Sequence, residues 1–146
     1  MQLGEAHRRG LVSVEIAGTG GSSGDVISVV VQRKVRSVLR LTLESGTVLI
    51  STSPKVQSMV VAAVKGLRID DTRYRPTKFI QLSDDARHTY LVEAYCLDFL
   101  KENPSATDLF TLSDVDPSAL RVIKTASAGH APPVIQAVLW LDQGVP

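Results

Sequence analysis

The stretch "VQSMVVAAVKGL", residues 56–67, decides the fold. Val56, Met59, Val60, Ala63, Val64 and Leu67 recur at helical spacing, and the alanines favour a helix. The unbroken apolar run from Val60 to Val64 suits a buried strand as well. The segments around it favour a strand, with a helix as the open alternative, because short apolar alternations separated by turn signals are the pattern of a sandwich.

On the N-terminal side, "LVSVEI" (11–16) sets Leu11, Ser13 and Glu15 against Val12, Val14 and Ile16, the period of a strand with one buried face. "GTGGSSGD" (18–25) breaks that pattern. It lacks the Lys-Ser/Thr ending of a phosphate loop, and its glycine spacing does not fit a dinucleotide fingerprint. It therefore reads as a connection whose glycines supply positive φ angles. "VISVVVQR" (26–33) and "VLRLTL" (38–43) follow as strands, and "ESGT" (44–47) turns the chain into "VLIS" (48–51). On the C-terminal side, "KFIQLS" (78–83) and "TYLVEAYCL" (89–97) are two more strands, with "DDAR" (84–87) as a hairpin loop between them.

The character changes after Cys96. "KENPSATDLFTL" (101–112) is irregular. "DPSALRVIKTASAG" (116–129) carries Asp116 as a cap, Pro117 at the first helical position and Gly129 as a stop. "PPVIQAVLWLDQG" (132–144) predicts a second helix, entered through Pro133 and stopped by Gly144. The expected architecture is mainly β: an antiparallel β-sandwich of immunoglobulin-like layout with two short C-terminal helices. It is a single domain over 1–146, with the sandwich in 10–99 and a loop and helical portion in 100–146.

With 146 residues the chain buries a core without staples. A net charge of +1 argues against a nucleic-acid partner, since such proteins carry a basic excess. Arg33, Lys34, Arg36 and Arg40, then Arg68, Arg73 and Arg75, read as solvated strand edges interrupted by Asp70 and Asp71. No run is long enough to insert into a membrane, and "MQLGEAHRRG" lacks the apolar core of a signal peptide. One cysteine excludes an intramolecular disulfide but leaves the compartment open.

His7, His88 and His130 are scattered, and the acidic pairs lack the ligand array of a calcium loop, so no metal and no cofactor is expected. A Cys96 hydrolase with His130 or His88 as base is disfavoured, because Asp98 on the same strand face would raise the thiol pKa. A different partner is Gln136. A thiol held against a glutamine amide can attack its carbonyl carbon and expel ammonia, leaving a thioester, when the fold supplies the effective concentration. The oxyanion needs a donor, and bulk must exclude water. Tyr95 and Trp140 supply bulk, and the Tyr95 hydroxyl is one possible donor. On a helix Gln136 shares a face with Trp140 and Gln143, and a glutamine is unusual in so apolar a segment. The plainer alternative is a Gln136 that bonds an adjacent loop and a Cys96 that is an inert buried thiol.

"YCLD" (95–98) and "IQAVLW" (135–140) resemble the two signature motifs of bacterial thioester domains, found in surface adhesins of Gram-positive bacteria. The first motif is an aromatic or leucine, the cysteine, a hydrophobic and a polar residue. The second is a hydrophobic residue, glutamine, two variable residues and two hydrophobics. The resemblance implies a self-generated Cys96–Gln136 thioester, with Tyr95, Trp140 and His130 around it. It further implies covalent attachment to an amine-bearing protein or surface ligand, and an extracellular or cell-surface setting. A non-catalytic β-sandwich that binds through "GTGGSSGD" or "IDDTRYRPT" (69–77) is the alternative.

Overall fold

The computed structural model describes residues 1–20, 23–97, 101–102, 104–126 and 131–142. A one-and-a-half-turn helix, α1 (Leu3–Arg8), leads into strands β1 (Val12–Gly18), β2 (Ser23–Arg33), β3 (Leu39–Leu41) and β4 (Thr47–Ser51). Strands β5 (Met59–Arg68), β6 (Tyr74–Pro76), β7 (Ile80–Leu82), β8 (His88–Cys96) and β9 (Leu109–Val115) follow. Helices α2 (Pro117–Ala126) and α3 (Pro132–Asp142) end the chain. The protein is thus mainly β, with antiparallel sheets and two short C-terminal helices, as the sequence predicts.

The segment that decided the fold is the strand β5, and its burial explains why it read ambiguously. Met59, Val61 and Val64 face one apolar cluster, while Val60 and Ala62 face another. A strand covered on both faces loses polar alternation, so its period is hidden.

The predicted two-layer sandwich is replaced by a closed ring. The main sheet runs β4-β9-β1-β2-β8-β5-β6, and β4 also pairs with β5, which joins the two sides into a six-stranded barrel. Leu49 of β4 stands opposite both Leu112 of β9 and Met59 of β5. Closure depends on β9, which lies partly in the "KENPSATDLFTL" stretch expected to be irregular. "DDAR" is likewise not a hairpin between its flanking strands, because β7 pairs with β3 in a separate two-stranded sheet.

Inside the ring, Ile27, Val29, Val31, Leu49, Val92 and Ala94 form part of the barrel core. Outside it, Val60, Ala62 and Tyr95 meet Ala119, Val122, Ile123, Ile135 and Leu139 of the helices. Each large apolar side chain buried there contributes roughly 1.5–3 kcal/mol. The Asp116 carboxylate caps α2, accepting from the N–H groups of Ser118 at 2.9 Å and Ala119 at 3.3 Å, with Pro117 at the first helical position as expected. Gly46 permits the approach of that helix: its φ is +87°, and a Cβ there would stand 2.7 Å from Leu120 Cβ. Of the "GTGGSSGD" stretch expected to connect strands, Gly18 belongs to β1 and residues 23–25 to β2; Gly20 between them and Gly24 within β2 both take positive φ. The stop signals Gly129 and Gly144 lie outside the described residues.

Candidate functional site

Side chains alternate along β8, so Ala94 and Cys96 point into the barrel while Glu93 and Tyr95 point out toward the helices. Cys96 is the last residue of the strand and is fully buried. The Leu97 N–H donates to the Ser58 carbonyl of the β5 side at 2.9 Å, and Cys96 stands opposite Met59. In an antiparallel ladder this leaves the N–H and C=O of Cys96 directed away from β5, toward β2. Strand β2 begins at Ser23, opposite Tyr95, one residue short of Cys96.

Gln136 fills that position. Its side chain comes from α3, which packs against β2 and β8, and the residue is only 4% exposed. The Cys96 N–H donates to Gln136 Oε1 at 2.7 Å, and Gln136 Nε2 donates to the Cys96 carbonyl at 2.8 Å. The carboxamide therefore stands where the next peptide group of a neighbouring strand would, satisfying two buried backbone groups at once. Its carbonyl carbon is held between those bonds, beside the residue that carries the only thiol in the chain.

Tyr95 is fully buried on the other face of β8. Its hydroxyl donates to Glu93 Oε2 at 2.6 Å, and the N–H of Cys96 itself is the donor on Gln136 Oε1. Trp140, one turn beyond Gln136 on α3, packs against the barrel core. His130 and Asp98 lie outside the described residues. His88 is at the opposite end of β8, about 26 Å away for eight residues of extended strand, and bonds Asp84 at 2.7 Å. That bond and the Ala86 N–H hold the Asp84 carboxyl below its usual value.

Sequence reasoning passed over Glu93 and Lys65. A cleft of about 550 Å³ opens between the barrel wall and the helices, lined by both and by Tyr95, Lys124, Pro132 and Ile135 among others. Glu93 Oε1 faces Lys65 Nζ at 3.4 Å, and the carboxylate side chain is 16% exposed against 41% for the lysine. The signal was present: Glu93 is the one acid within "TYLVEAYCL", on the same face as Tyr95.

Three of the basic residues named above have partners: Arg33 bonds Asp85 at 3.0 Å, Arg73 pairs with Asp70 at 2.7 Å, and Arg40 lies over the Phe79 ring. Among the described residues no group of three or more His, Cys, Asp or Glu could hold a metal, and no helix is long and apolar enough to cross a membrane. Compared with family models, curated proteins and solved structures, the chain matches none.

Proposed function

We propose that this protein is a covalent tethering module of the thioester-domain type, in which Cys96 and Gln136 form an internal thioester that acylates an amine on a partner protein or surface ligand. The observation that carries this reading is the pair of hydrogen bonds between the Gln136 carboxamide and the Cys96 backbone. In the reaction the Cys96 sulfur bonds to the Gln136 carbonyl carbon, the carbon–nitrogen bond breaks, and the nitrogen leaves as ammonia with the thiol proton. The Cys96 N–H already donates to the oxygen on which negative charge develops, which is the role of an oxyanion donor. Rotation about one side-chain torsion of Cys96 moves the sulfur relative to a carbon fixed by the same residue's backbone, the condition for a large effective concentration. Burial of both partners keeps water from hydrolysing the product. The chemistry requires no cofactor and consumes its own acyl group once, so it is not turnover catalysis.

Intact-mass measurement with and without methylamine tests this. The expected protein is lighter than its sequence by one ammonia, resists thiol reagents, and gains methylamine on exposure. A full-mass protein whose Cys96 titrates under native conditions would sink the proposal. The same two hydrogen bonds favour one other reading, a non-catalytic β domain in which Gln136 only completes the ladder beside an inert cysteine. It predicts full mass, and partner binding unchanged by Cys96→Ala.

A further inference from the structure

We infer that the cleft beside the Cys96–Gln136 pair receives the incoming amine, with Glu93 holding its ammonium and Lys65 competing for the same carboxylate. The inference rests on the thioester reading. Tyr95 and Ile135, the residues immediately before Cys96 and Gln136, both line the cleft on the helix side of β8; the Cys96 side chain lies on the barrel side, and the Gln136 carboxamide, bonded to the Cys96 backbone at the strand edge, stands between the two faces. Glu93 is a mostly buried carboxylate in an otherwise apolar strand face, a costly placement that calls for a hydrogen bond and a cation. The hydrogen bond comes from within, through Tyr95, at 2.6 Å. The cation comes from the solvent side: Lys65 is half-exposed and its 3.4 Å approach to Oε1 is loose for a charge-assisted contact. A primary ammonium on a four-carbon stem is thus already seated on Glu93, and a lysine from a partner presents the same group. Ala62, Ile123, Pro132 and Ile135 give its methylenes apolar walls. Lys124, exposed at the cleft, favours a target lysine that has an acidic neighbour.

Once Lys65 is displaced, the bound ammonium passes one proton to Glu93. The freed lone pair attacks the Gln136 carbonyl carbon, the carbon–sulfur bond breaks, and the Cys96 sulfur takes the second amine proton. The products are an amide on the Gln136 carbon and a Cys96 thiol.

The test follows the rate of mass gain with 1,5-diaminopentane, a dication, and with hydroxylamine, which is uncharged at neutral pH. Glu93→Gln is expected to keep the ammonia deficit and to capture diaminopentane about tenfold more slowly, the worth of one charge-assisted hydrogen bond, with hydroxylamine unaffected. Lys65→Met, a change at a half-exposed site, is expected to speed diaminopentane several-fold and to leave hydroxylamine alone. Nα-acetyl-lysine should outpace its N-methylamide, and Lys124→Glu should reverse that order. Thioester-bearing Glu93→Gln and Lys65→Met proteins that both react with diaminopentane at the wild-type rate overturn the cleft and leave the thioester standing. If Glu93→Gln does not fold or lacks the deficit, the Lys65→Met rate alone decides. Wild-type protein without the deficit overturns both readings.

Discussion

Gln136 is the residue on which the site turns, because one carboxamide satisfies the two backbone groups that strand pairing leaves open at Cys96. Gln136→Ala strips a buried N–H and a buried C=O of partners, and denaturant unfolding should show a loss of about 2–4 kcal/mol. The proposed thioester would carry a smaller cost of the same kind. Its formation removes the nitrogen that donates to the Cys96 carbonyl, and aminolysis puts an N–H back. Aminolysis also breaks the cross-link between residues 96 and 136, a loop closure worth about 4 kcal/mol, so methylamine-treated protein should be less stable than the thioester form by about 3 kcal/mol in parallel denaturation curves. The pairing of Cys96 with Gln136 was legible in the sequence as a polar residue in an apolar helix and two short motifs. The donor to the Gln136 oxygen was not. It is a backbone N–H, and every residue but proline has one; only the register of β8 shows that this one is turned toward the helix.

Elements differ in how much of their own structure they encode. Helix α2 states its start locally, through Asp116 and Pro117, and Asp116→Ala should cost about 1 kcal/mol in thermal or chemical unfolding. Strand β9 states almost nothing. Leu109 is exposed and only Phe110 is buried, so its apolar pattern is too short to register. What makes it a strand is the gap between β1 and β4 that it fills. Helix α1 was missed for a related reason: six residues with no side-chain cap on Gln2, held by the Leu3 N–H donating to the Thr42 carbonyl at 2.8 Å. Signals carried by side chains at fixed spacing were readable, whereas signals carried by a distant neighbour were not.

At the scale of the molecule, the difference between sandwich and barrel is one pairing, β4 with β5, and no local pattern announces it. The closed barrel core also holds Tyr90, whose hydroxyl accepts from the Gln81 N–H at 3.2 Å. Burial is the largest influence on this phenol and raises its pKa above the usual 10.0. A neutral group kept neutral by the fold contributes stability that is fully present below the unfolded value. As pH rises past 10.0 the unfolded chain ionises first, so stability should fall from there upward through the folded pKa. Alkaline denaturation followed beside tyrosinate absorbance should show Tyr90 ionising later than a free phenol. The ring has a further consequence, in the order of events on the ribosome. Its closing strand, β9, is the last of the described strands to be made, and α3 emerges after it. Cys96 leaves the ribosome 40 residues ahead of the Gln136 whose carboxamide bonds its backbone, an interval of about 2–8 s at ordinary elongation rates. The barrel strands are complete once Val115 is made, so the ring can enclose the Cys96 thiol before α3 delivers Gln136.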